Sequence, residues 1–184
     1  YTFSPTNLGE VIRHSVKILE PRIRKNKIDL QLNLPETPAI IWGNINQLEQ
    51  VFIKLVPNAI DAMDEKGRQP EWQNAPKQLS LKSYHADQRV VVEVTDTGLG
   101  MTPETMDKFF EPFFTTKEVG KGTGLGLSIS REYVRLLGGD MEQVADGLAQ
   151  KVAQAPDFFR NTPVVIDLSG LPSGEGELEF PMLV

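Results

Sequence analysis

Apolar residues return at helical spacing through Leu8, Val11, Ile12, Val16, Ile18, Leu19 and Ile23, and Asn7 stands where an N-cap belongs. The spacing predicts a first helix over about 7–25. The period then drops to two: residues 27–34 alternate apolar and polar up to Pro35, which predicts a half-buried strand and a helix-to-strand hairpin. A second stripe, Ile45, Leu48, Val51, Phe52, Leu55, Ala59, Ile60 and Met63, predicts a helix over about 45–64. Pro57 lies inside it, removing one backbone hydrogen bond and crowding the carbonyl of Ile53, so a kink or local widening is expected. Residues 64–77, with Gly67, Pro70, Asn74 and Pro76, read as a polar loop.

Residues 78–84 and the valine-rich 89–95 read as antiparallel neighbours joined by a turn at 85–88, the second strand better buried. A third amphipathic helix is expected over 125–137, closed by Gly138 and Gly139. Beyond Asp146 the character changes: 148–155 is helix-prone, 163–168 is a strand, and 169–177 is rich in Gly and Pro. Helices separated by paired strands predict a two-layer α/β sandwich.

At 184 residues the chain fits one domain with a core of its own, and with no cysteine it has no disulfide framework and no thiolate metal site. A reducing, cytoplasmic setting fits this usage. With 25 acidic against 19 basic residues the surface repels nucleic acid. No apolar run approaches the ~20 residues of a membrane span, and residues 1–4 lack the layout of a signal peptide, so a soluble chain without membrane contact is expected.

Three short elements carry candidate chemistry. Asp96 follows a buried strand, where its carboxylate can accept from the exocyclic amine of adenine, and Gly98 and Gly100 permit a tight turn behind it. Alone, D-x-G-x-G is as well read as a turn between elements. Gly120, Gly122, Gly124 and Gly126 leave no Cβ atoms to hold a triphosphate off the backbone, and the helix after them would point its N–H groups and dipole at that anion. Lys117 and Lys121 flank the loop and could screen phosphate charge. Asn58, near Asp61, offers an amide oxygen suited to Mg²⁺.

Taken in order, Asn58-Ala59-Ile60-Asp61-Ala62, Asp96-Thr97-Gly98-Leu99-Gly100-Met101, Phe110-Glu111-Pro112-Phe113-Phe114 and Gly122-Thr123-Gly124-Leu125-Gly126-Leu127 resemble the N, G1, F and G2 boxes of sensor histidine kinases. These boxes belong to the wider gyrase, Hsp90, histidine kinase and MutL superfamily, and the F-like element points to the kinase branch. The resemblance covers about residues 1–143 and implies a Bergerat-type sandwich, a mixed sheet with helices on one face. It implies ATP and Mg²⁺ as cofactors, with Asn58 on the metal and Asp96 on adenine. Asp61, Ala62, Gly98, Gly100, Met101, Phe110, Thr116, Lys117, Gly122, Thr123, Gly124 and Leu125 complete the implied nucleotide site, under a mobile lid over about 102–123. Phe110, Phe113 and Phe114 would anchor that lid, although such aromatics also suit an ordinary core.

Three departures stand out. Neither His14 nor His85 is followed by an acidic residue, so the phosphoacceptor histidine is expected on a separate dimerisation domain, with a response regulator downstream. Position 54, one turn before Asn58, carries Lys54 where the N box has Asn, a cation expected to repel the metal or partly replace it against phosphates. Where domains of this type close on Gly-Thr-x-Phe and a final Leu-Pro, residues 145–184 instead resemble part of the N-terminal domain of the septum-site protein MinC. A chimera is therefore the alternative expectation, with a vestigial nucleotide site and a structural or septum-related interaction role. In it, residues 164–168 would cover an open sheet edge.

Overall fold

Asn7 ends a strand and begins a helix in one step, its side chain accepting from the backbone N–H of Gly9, one of the donors a helix start leaves unpaired. In the computed structural model, which describes residues 2–86, 89–136, 140–143 and 164–167, strand β1 (Ser4–Asn7) leads into α1 (Leu8–Lys25) and on to β2 (Asp29–Asn33) and β3 (Ile40–Gly43). Asn44 caps the next helix through the N–H of Gln47. That helix, α2 (Ile45–Gly67), precedes a 3-10 turn at Pro70–Trp72, strands β4 (Gln78–Ala86) and β5 (Arg89–Asp96), and helix α3 (Pro103–Lys108). Helix α4 (Gly126–Leu136) and strands β6 (Asp140–Gln143) and β7 (Val164–Asp167) follow.

The main sheet runs β2-β4-β5-β7-β6, with β2 parallel to β4 and the other pairs antiparallel, while β1 and β3 form a separate two-stranded ladder. A layer of α1, α2 and α4 covers this mixed sheet: α2 packs on α1, on α4 and on β5. Leu8, Ile12, Phe52, Ile60, Leu79 and Ile166 are closed off from water between the layers. This is the expected α/β sandwich. Among the described residues no helix is long and apolar enough to cross a membrane.

Several sequence expectations need correction. Strands β1 and β3, four residues each, and the six-residue α3 are too short for periodicity to reveal, and they form in segments for which the pattern predicts no element. Helix α2 is unbroken across Pro57 and runs to Gly67, one turn into the expected loop. Its apolar face, buried from Leu48 to Met63, outweighs one lost hydrogen bond. Strand β2 is an edge strand, mostly exposed rather than half-buried, and Leu30 alone turns partly inward. Strand β4 continues through His85 and Ala86, which places His85 on a strand and not in the turn.

The strand expected at 163–168 exists, but it is not an edge: β7 lies between β5 and β6, with Val92 opposite Ile166. Burial of both faces explains the unbroken valine run of β5. The Gly138 and Gly139 closure and the helix expected at 148–155 lie outside the described residues.

Candidate nucleotide site

Helix α2 sets Asn58, Asp61 and Ala62 at i, i+3 and i+4, one above the other on a single face. Asp96 is the last residue of β5, and there its chain turns back on itself: the N–H of Gly98 donates to Asp96 Oδ1 at 2.8 Å. The turn lies so close to α2 that a Cβ on Gly98 would meet Ala62 Cβ at 2.7 Å. Glycine is required here by contact, and its absence of a side chain lets the Asp96 turn seat on the Asn58 helix. Gly100, at φ +71°, turns the chain away toward the lid.

Burial pushes the Asp96 carboxyl up to about 6, against the opposing pull of the Gly98 N–H and of the Lys66 ammonium. Lys66 is the missed member of this cluster. Its Nζ donates to the Thr97 carbonyl at 2.8 Å and lies 4.9 Å from the centre of the Trp72 ring. Thr97 Oγ1 in turn donates to the Pro76 carbonyl and accepts from the N–H of Gln78, so the turn is bolted to the start of β4. The spacing of Asn58, Ala62 and Lys66, four apart on one helix, was the sequence signal that could have found this lysine.

The lid meets the same helix face. Lys117 Nζ donates to Asn58 Oδ1 at 3.2 Å and to Asp61 Oδ2 at 2.6 Å, while Arg22 of α1 pairs with the other oxygen of Asp61. No motif marked Arg22, because its role depends on α1 lying against α2. Gly122 makes room for the folded lysine: a Cβ there would stand 2.6 Å from Thr115 Oγ1 and 3.2 Å from Lys117 Cδ. Gly124, at φ +66°, accepts from the N–H of Phe113, and a Cβ on it would fall 2.3 Å from the Phe113 carbonyl carbon. Phe113 itself has φ +67° and is 75% exposed. Thr123 Oγ1 accepts from the N–H of Leu125, and Leu125 leads into α4, whose first N–H groups are the open donors of a helix start.

Lys54 runs along α2 to the start of α4, its stem 3.9 Å from the place of a Cβ on Gly126. The turn at Asp96, the Asn58 face and the glycine loop therefore converge around α2. Phe110 is turned away from that convergence. Phe110 packs toward the core, edge-on to Phe109 at 5.1 Å, with the Arg131 guanidinium 4.8 Å from its ring centre. Phe114 and Met101 are half-buried, and Thr116 is exposed. His14 is a surface residue whose Nδ1 lies 2.5 Å from Glu49 Oε1.

A hard divalent cation fits the donors present. Asn58 Oδ1 and the Asp61 carboxylate are oxygen ligands already turned on a positive charge, the Lys117 ammonium. Among the described residues no group of three or more His, Cys, Asp or Glu could hold a metal by itself. An amide oxygen beside one carboxylate is a donor pair that a hard divalent cation takes together with water.

The fold and these boxes define a class. The family described as histidine kinase-, DNA gyrase B- and HSP90-like ATPases matches residues 43–162, and the chain belongs to it. Its relatives are sensor kinases. It is 39% identical over 129 residues to the sensor kinase CckA of Brucella abortus, covering 67% of this chain and 14% of that protein. It is 31% identical to the sensor histidine kinase ZraS of Salmonella typhimurium, covering 75% of this chain and 27% of that one. The chain thus spans about a seventh to a quarter of the length of these relatives. The solved catalytic domain of histidine kinase ThkA superposes with a TM-score of 0.68 at 28% identity, over 91% of this chain and 97% of that one. The chain is a catalytic ATPase domain of the sensor histidine kinase type. The expected resemblance to MinC gains no support: the family match runs to residue 162, and β7 sits inside the sheet of the kinase-like fold.

Proposed function

We propose that this chain binds Mg·ATP and transfers the γ-phosphoryl group to a histidine presented by a separate dimerisation domain, for onward use by a response regulator. The observation that carries the reading is the seating of the Gly98 turn on Ala62, one helical turn along α2 from Asn58, so that the chain behind Asp96 rests on the helix that bears the Asn58 amide. Asp96 accepts a hydrogen bond from the adenine amine, and the buried setting that raises its proton affinity also strengthens that bond. Gly100, Met101 and Leu125 line the base and sugar side. The backbone of Gly122, Thr123 and Gly124 and the open N–H groups of α4 hold the phosphates.

Asn58 and Asp61 are the residues that would hold magnesium, which when bound neutralises and orients the phosphate oxygens. Phosphoryl transfer of this kind asks for positioning and charge neutralisation more than for a nucleophile on this domain. Lys117 supplies positive charge beside the phosphate path, Lys54 stands on α2 as a cation that opposes the metal, and Thr116 and Phe110 belong to the lid that covers the site. All these residues fall within 1–143, which we assign the nucleotide chemistry. An ATP-dependent reaction of this type belongs in the cytoplasm. The solved complex of ThkA with the response regulator protein TrrA, 25% identical to this chain, supports the choice of partner.

The test has two parts. A fluorescent ATP analogue should bind the wild type and lose at least tenfold in affinity with Asp96→Asn, since one charge-assisted hydrogen bond is removed. Labelled phosphate should then appear on a histidine-bearing dimerisation domain added in trans. A wild type that binds no nucleotide defeats the reading.

A further inference from the structure

Lys117 holds the two oxygens that the proposed metal needs. Its ammonium lies 3.2 Å from Asn58 Oδ1 and 2.6 Å from Asp61 Oδ2, and one small pair of ligands does not accommodate both a lysine and a hydrated divalent ion. Asp61 is meanwhile held through its other oxygen by Arg22, so it keeps a counter-charge when the lysine leaves. The lysine itself has somewhere to go. It belongs to the lid, its backbone N–H donates to Thr115 Oγ1 two residues away, and its stem lies over Gly122 in the glycine loop.

We infer that Lys117 competes with the metal for Asn58 and Asp61, and so determines how strongly nucleotide binding depends on divalent cation. The inference rests on the ATP-binding reading above. Metal arriving with nucleotide displaces the ammonium from α2. The freed lysine carries its charge, and the lid with it, onto the phosphate side. One residue thereby couples metal occupancy to the position of the lid. Without divalent cation, Lys117 stays on α2 and the lid stays tied to it.

Two measurements test this on the whole chain, with Lys117→Met, which keeps the stem and removes the charge, and Lys117→Arg, which keeps the charge. The first is hydrogen exchange of lid amides 114–122 in protein without nucleotide or magnesium. Exchange should rise severalfold in Lys117→Met and stay near wild type in Lys117→Arg. The second is the magnesium concentration that half-saturates binding of a fluorescent ATP analogue. It should fall roughly fivefold in Lys117→Met, the worth of one half-exposed ion pair, with Lys117→Arg again near wild type.

Unchanged lid exchange in Lys117→Met overturns the inference. So does a magnesium midpoint that stays put or rises while the analogue still binds. Absence of analogue binding to the wild type is a different failure, because it defeats the ATP reading itself and takes this inference with it.

Discussion

Asp96 is asked to do two things that oppose each other. Its folded-state proton affinity, raised to about 6 by burial, exceeds that of the unfolded chain, so the folded protein binds a proton more tightly between pH ~4 and 6. The stability this contributes is full below pH ~4 and is lost as pH rises through 6. At neutral pH the ionised carboxylate costs the fold on the order of 3 kcal/mol, and in the function proposed above the charged form is the better acceptor for an amine. Asp96→Asn should therefore gain stability relative to the wild type between pH 4 and 7 in urea melts, while analogue affinity of the wild type falls as pH drops below 6. If the stability difference is flat with pH, the carboxylate is not buried as described. Lys54 makes a second prediction at this scale. Its stem sits where α2 meets α4, so Lys54→Asn should remove a repelling charge and tighten Mg·ATP binding roughly fivefold by calorimetry. Equal affinities would show that the lysine points its charge to solvent.

Within elements, what the chain tolerates depends on contact more than on propensity. Pro57 in α2 and Pro21 in α1 both lie within unbroken helices, because the buried faces of those helices are anchored on both sides. Phe52, 1% exposed at the middle of α2, carries much of that anchoring. Phe52→Ala should cost about 3–5 kcal/mol, read as a lower urea midpoint with an unchanged slope. The lid behaves differently: besides the Lys117 contacts to α2, it is pinned by Gly124 against the Phe113 backbone. Gly124→Ala introduces a Cβ at positive φ into a contact with no room, so it should speed exchange of the lid amides and weaken analogue binding roughly tenfold while the melting temperature hardly moves. A large drop in melting temperature would mean that the lid is part of the global cooperative unit.

At the scale of the whole molecule, the sheet is completed by a strand remote in sequence. β7 pairs with β5 on one side and β6 on the other, and Ile166, 2% exposed, plugs the core between them. Ile166→Ala should cost about 2–4 kcal/mol in a single cooperative urea transition, whereas a detachable appendage would leave the main transition in place. The long helices and the β4–β5 pair were legible in the sequence, because periods of 3.6 and 2 follow directly from which face is buried. So were the four boxes, because tight turns and anion loops need glycine at fixed spacing. β1, β3 and α3 are too short to show a period, and the inner position of β7 depends on pairing across about seventy residues. The chain by itself determined where amide, carboxylate and ammonium groups stand and where the backbone is free to turn, since donor type and backbone freedom are local properties. Only the tertiary structure decided that Gly98 seats Asp96 against Ala62, that Lys66 bolts that turn, and that Arg22 and Lys117 share Asp61. Those are contacts between elements, and their distances are set by how helices pack on a sheet.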